Sequence, residues 1–171
     1  MNDFEREFHK TYPAVRKRTG AYMFTLYPPV RPVKAKGKCP MFVMTGKSLF
    51  DECGWDKEGR FIGVELKSNQ EYKPSLPIVS PDNHASGIDF HQLEALAAVH
   101  RDGGHAYLVW KNGRKTGRMA GRELNEAFLA YLESLQEQES TGKIRRGTRS
   151  LQWGNFTEIE DLDTWFDREP S

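Results

Sequence analysis

The segment Gly59-Arg60-Phe61-Ile62-Gly63-Val64-Glu65-Leu66-Lys67 constrains the fold more than any other part of the chain. Its aromatic and β-branched residues read as a strand. The period-two geometry of a strand sends Phe61, Gly63, Glu65 and Lys67 to one face and Ile62, Val64 and Leu66 to the other. Upstream, Leu49-Phe50-Asp51 leads into Cys53-Gly54-Trp55-Asp56-Lys57-Glu58-Gly59, a turn-rich connection, so residues 47–67 are predicted to form a β-hairpin. A hairpin brings Asp51 beside Glu65 and Lys67, whose side chains point the same way.

Around this hairpin the pattern alternates between helix and strand. Phe4, Phe8 and Tyr12 recur at helical spacing and predict a helix over 3–18, capped by Asn2 or Asp3 and bent or ended at Pro13. Residues 19–40, dense in proline and lysine, read as an extended arm or long loop, and Met41–Met44 as a short buried strand. Residues 68–88, with Pro74, Pro77 and Pro81, read as a loop. A helix capped by Asp89 follows over 89–101, with Phe90, Leu93, Leu96 and Ala97 on one face, and Gly103-Gly104 stops it. Residues 105–110 read as a strand, and Asn112-Gly113 signals a hairpin turn. A final helix over 121–136 turns Leu124, Phe128, Tyr131, Leu132 and Leu135 inward. This order predicts a mixed α/β domain around a small sheet. The domain is expected to span 1–136, with 19–46 as a basic proline-rich arm, and 137–171 as a basic linker and acidic tail.

Composition sets limits. With 171 residues the chain has room for one domain with a real core. The 29% of charged residues keeps that core modest, while ten Phe, six Tyr and four Trp argue against disorder. No run of about 18 apolar residues offers a membrane span. The acidic, polar start lacks the basic-then-apolar pattern of a secretory signal, so a cytoplasmic protein with reduced Cys39 and Cys53 is expected. The net charge of +1 hides a segregation. Arg16, Lys17, Arg18, Arg31, Lys34, Lys36, Lys38 and Lys47 load the first third, and Lys143, Arg145, Arg146 and Arg149 form a second run. Glu158, Glu160, Asp161, Asp163, Asp167 and Glu169 crowd the end. Such blocks suit a polyanion-facing surface plus an acidic tail, or equally an ordinary solvated surface.

Two carboxylates and an ammonium converging on one spot suit Mg²⁺ or Mn²⁺. Asp51 and Glu65 are the candidate ligands, and the Leu66 carbonyl between Glu65 and Lys67 is a third donor. Lys67 would position or deprotonate a water, or stabilise transition-state charge. The competing interpretation is a solvent-facing Glu–Lys pair. The five histidines and two cysteines lack zinc-ligand spacing. Trp110, Trp153 and Trp165 are candidates for base stacking, with core packing the competing role for Trp110.

The Asp51…Glu65-Leu66-Lys67 arrangement resembles the PD-(D/E)xK nuclease signature, with Phe50 where the proline stands. Four blocks carry a narrower likeness: Phe50-Asp51-Glu52-Cys53-Gly54-Trp55, the strand 59–67, Ile88-Asp89-Phe90-His91-Gln92-Leu93 and Gly103-Gly104-His105-Ala106-Tyr107-Leu108-Val109. In order and spacing they resemble the RecU family of Holliday junction resolvases over roughly residues 1–112. The resemblance implies a restriction-endonuclease-like fold, with a mixed central sheet flanked by helices. It also implies a homodimer in a bacterial or phage-infected cell and Mg²⁺-dependent cutting of four-way DNA junctions. By position, it makes Asp51 and Glu65 metal ligands, Lys67 the catalytic lysine and Gln92 the helix residue near the site. Glu5 would be the acidic residue of the first helix, with Glu7 its competitor. Residues 19–46 stand where the family carries a stalk. Arg16, Lys17, Arg18, Arg31, Lys34, Lys36 and Lys38 are then expected to hold DNA phosphates. The expected function is thus a metal-dependent nuclease for branched DNA. The alternatives are a related nuclease for other DNA structures and a catalytically silent DNA-binding module.

Overall fold

A computed structural model describes residues 2–26, 48–79, 86–142 and 148–166 in full, and the strands Val30–Val33 and Met41–Met44 as backbone. Helix α1 (Asp3–His9) begins at a capping box. The Asn2 side chain accepts from the Glu5 N–H, and the Glu5 side chain accepts from the Asn2 N–H. Helix α2 (Tyr12–Thr19) follows after a break at Lys10-Thr11, with Pro13 in its first turn, where a missing N–H costs nothing. Gly20, at φ +74°, ends it. Strand β1 (Tyr22–Thr25) comes next, then β2 (Val30–Val33) and β3 (Met41–Met44), which pair antiparallel as a separate ribbon.

Strands β4 (Glu52–Trp55) and β5 (Phe61–Asn69) form the expected hairpin, in register Glu52 to Val64 and Trp55 to Phe61. The turn-rich connection is shorter than the sequence suggests, because Glu52–Trp55 is already strand. After β6 (Ser75–Val79) and β7 (Ile88–Asp89), helix α3 (Phe90–Arg101) crosses over to β8 (His105–Asn112), which lies parallel to β5. A two-residue loop with Gly113 at φ +64° turns into β9 (Lys115–Ala120). Helix α4 (Gly121–Thr141), β10 (Ser150–Gln152) and β11 (Thr157–Ile159) complete the chain.

The fold is mixed α/β. Its main sheet has the order β1-β4-β5-β8-β9-β11, with β5 and β8 parallel and the other neighbours antiparallel. A second sheet runs β10-β6-β7. On one face of the main sheet, α3 and α4 bury Leu93, Leu96, Leu124 and Phe128 against Leu108 and Trp110. On the other, α1 and α2 bury Phe4, Phe8 and Val15 against Ile62, Val64 and Val109. The apolar face expected for β5 is the one that meets α1.

Three expectations are corrected. The 19–46 arm contains β1, an edge strand of the main sheet, and the β2–β3 ribbon. Pro32 is tolerated in a two-strand ribbon, where each strand has a free edge. The 68–88 loop contains β6 and β7, with Leu76 and Ile78 inward and Pro77 outward. The stretch after 136 is no appendage: α4 runs on to Thr141, β11 closes the sheet, and Trp165 and Phe166 are buried against Phe8 and Tyr107. Widely spaced apolar residues (Leu151, Phe156, Ile159, Trp165, Phe166) anchor it between the charges that dominate its composition. Trp110 and Trp165 are fully buried, and Trp153 packs on Trp110 and Phe156, so these rings form core rather than a stacking surface. Cys53 is a buried free thiol, pushed up to about 11 by burial and by Glu52, and Cys39 lies outside the described residues. No helix among the described residues is long and apolar enough to cross a membrane.

Candidate active site

The hairpin register decides which acids meet. Glu52 pairs with Val64, so Asp51, one residue earlier, falls opposite Glu65. The Asp51 N–H donates to the Val64 carbonyl at 3.1 Å, and its Oδ2 accepts from the Leu66 N–H at 2.9 Å. Asp51 is therefore fixed at both main chain and side chain.

Glu65 is 1% exposed. Its Oε1 accepts from Gln92 Nε2 at 2.6 Å and lies 2.7 Å from Lys67 Nζ. Lys67 in turn donates to Gln92 Oε1 at 3.1 Å. Gln92 also closes the capping box of α3, where its Oε1 accepts from the Asp89 N–H at 3.1 Å. One side chain thus starts the helix and clamps both charged groups of β5. The Asp89 cap is as the sequence predicts.

The second oxygen of Glu65 is different. Oε2 is buried and has no hydrogen-bond partner among the described residues. A buried acceptor left empty costs about 1–3 kcal/mol, more when charged. Burial raises the Glu65 carboxyl to about 8; the Lys67 charge opposes this and the Asp51 charge adds to it. The Asp51 carboxyl is also raised, first by burial, against the pull of the Leu66 N–H, Lys67 and a hydrogen bond shared with the Glu65 carboxyl, with Glu5 adding repulsion.

Of the two first-helix candidates, Glu5 is half-buried with its carboxylate held by Asn2 in the capping box, and adds like-charge repulsion at Asp51. Glu7 is exposed and pairs with Lys111 at 2.6 Å.

Among the described residues no group of three or more His, Cys, Asp or Glu side chains is gathered to hold a metal. Mg²⁺, however, is commonly held by one or two carboxylates and keeps several waters. Asp51 and the Glu65 oxygen without a donor would supply such carboxylates, with the Leu66 carbonyl as the third expected donor. The donor set is all oxygen, which favours Mg²⁺ or Mn²⁺ over zinc.

Comparison with known proteins adds nothing to this geometry: no family model matches the chain, and no curated protein matches it at a significant level.

The expected phosphate-binding residues divide. Arg16 and Lys17 are exposed on α2, with the Arg16 guanidinium 5.1 Å above the Tyr22 ring. Arg18 donates to the Asp163 carbonyl and so anchors the tail. Lys34, Lys36 and Lys38 lie outside the described residues, as does Lys47, and Arg31 is described only as backbone in β2.

One polar cluster escaped the sequence. Glu52, next to Asp51 but on the opposite sheet face, is 1% exposed. Its Oε1 lies 2.5 Å from His9 Nε2, its Oε2 accepts from the Tyr12 hydroxyl, and Thr25 Oγ1 reaches His9 at 3.1 Å. Burial and Glu52 push the Tyr12 hydroxyl well up, so it remains a donor. The cluster ties α1, α2 and β1 to β4.

Proposed function

We propose that the chain is a divalent-metal-dependent endodeoxyribonuclease with a restriction-endonuclease-like core, acting on Holliday junctions or other branched DNA. The observation that carries this is the convergence of Asp51, Glu65 and Lys67 around a buried carboxylate oxygen that finds no partner among the described residues. Asp51, Glu65 and the Leu66 carbonyl would hold the ion. When bound there, Mg²⁺ supplies charge neutralisation at the scissile phosphate and a lower pKa for the attacking water.

The chain's own groups do the rest. Gln92 and Glu65 hold the Lys67 ammonium, which is placed to orient a phosphate oxygen or the water. Burial raises the Glu65 carboxyl to about 8, and a cation held there would offset that cost and favour the ionised form. Paired nicks across a symmetric four-way junction need two such sites, so the chain would act as a homodimer. Arg16 and Lys17 would neutralise phosphates and make affinity steeply salt-dependent.

The test is incubation of end-labelled four-way junction, flap and duplex with Mg²⁺. We expect preferential cutting of the branched substrates, lost in EDTA and in Asp51→Ala. Equal cutting of all three substrates would move the assignment to the broader nuclease class. DNA binding with no cutting under any divalent ion would leave the silent-module alternative.

A further inference from the structure

Tyr22 and Trp55 are large rings that stand 54% and 46% exposed. They are register partners on β1 and β4, so their side chains leave the sheet on the same face. Strand alternation puts that face on the side of Asp51, four residues before Trp55 and roughly 13 Å along the strand. The rings continue inward. Phe24 lies 5.4 Å from Trp55, Trp55 meets Phe61 edge-on at 6.4 Å, and Phe61 reaches Phe50 at 5.7 Å, the residue before Asp51. An aromatic row thus runs from β1, an edge strand among the described residues, to the carboxylate corner.

Cations line the outer end. Arg16 sits over Tyr22 and exposed Lys17 shares a cleft of about 560 Å³ with it, while Lys57, exposed in the turn after Trp55, lies 3.7 Å from Glu58. An exposed apolar patch rimmed by charge marks an interaction surface. A two-fold contact between copies of this chain centred on Tyr22 would bring Arg16 and Lys17 against their own copies, which is costly. A nucleobase presents a π-face to the rings, and its phosphate an anion to the rim.

We propose that Tyr22 and Trp55 form a stacking platform for an unpaired DNA base, delivering a single-stranded or branch-point segment to the Asp51–Glu65 corner. The delivery role rests on the nuclease assignment above; base binding by the platform does not. Aromatic stacking of this kind tolerates any sequence and recognises unpaired structure.

The full chain is titrated in EDTA with oligothymidylate and with a blunt duplex of equal length, following tryptophan fluorescence and anisotropy. We expect quenching by the single strand in the wild type. Trp55→Leu and Tyr22→Leu should each weaken single-strand binding roughly tenfold, whereas Trp55→Phe keeps most of it and duplex binding is unchanged. Leucine preserves the apolar contact with Phe24 and Phe61, and a thermal melt of each variant checks folding. Trp55→Leu binding as tightly as the wild type overturns the platform, as does a change in sedimentation with DNA affinity intact, which assigns the patch to a second copy. The assignments fail separately. Asp51-dependent cutting with an indifferent Trp55 removes the platform alone, and Trp55-dependent binding without cutting in any divalent ion removes the nuclease alone.

Discussion

Two glutamates, Glu52 and Glu65, are each 1% exposed, lie on adjacent strands and leave the sheet on opposite faces. Glu52 has both oxygens engaged, one by His9 and one by Tyr12. Glu65 has two donors on one oxygen and, among the described residues, none on the other. A buried carboxylate with a partner on each oxygen is part of the framework. Glu65, with one oxygen lacking a donor among the described residues and the Asp51 carboxyl beside it, would on the proposed reading offer that oxygen to an incoming cation. On that reading the contrast gives Glu52 a structural role and Glu65 a chemical one.

His9 is where the two faces should differ most. Removing it takes one of the two hydrogen-bond partners from the buried Glu52 carboxyl. We expect His9→Ala to cost about 1–3 kcal/mol of stability in urea unfolding, with cutting by the folded fraction retained. Loss of cutting in fully folded His9→Ala would erase the distinction between the two faces. On the other face the effect should be kinetic. Lys67→Ala should lower the cutting rate by about 10²–10³ with little change in the unfolding midpoint.

Gln92 contacts both Glu65 and Lys67 but is not among the residues that would hold an ion. Gln92→Ala should reduce metal affinity or rate by about 10–100-fold. Its share in the α3 capping box should cost a smaller amount of stability, separable by melting.

The smallest effect is a pH dependence. The Glu65 carboxyl rises from 4.5 to about 8 in the folded chain, so folding favours the protonated form. That contribution to stability is complete below about pH 4.5 and is lost as pH climbs through 8. In EDTA, Glu65→Gln should therefore melt several degrees above the wild type at pH 9 and level with it at pH 4. A Gln variant that melts lower at pH 9 would mean that Glu65 is satisfied after all.

The parts of this contrast differed in how legible they were. The alternation of Phe61–Lys67 specified both the strand and the face of Glu65 and Lys67, because period two admits one assignment once one side is apolar. Asp89 was readable as a cap because capping is local chemistry, whereas Gln92 was placed beside the site only by the family resemblance. The Asp51-Glu52 pair was half readable. Adjacent residues on a strand leave on opposite faces, but which one meets Glu65 is decided by the hairpin register. The partners of Glu52 lie 43 and 40 residues away, beyond any periodicity. Strands β1, β6 and β11 were hidden because each is five residues or fewer and sits among prolines or acids whose composition signals loop.

The most direct test of the central claim is calorimetric titration of Mn²⁺ into the full chain at pH 7. We expect about one site per chain, with proton release as Glu65 ionises. That heat should vanish in Glu65→Gln and Asp51→Ala and persist in Glu52→Gln. Binding that survives both site substitutions, or disappears with Glu52→Gln in a folded protein, would contradict the assignment.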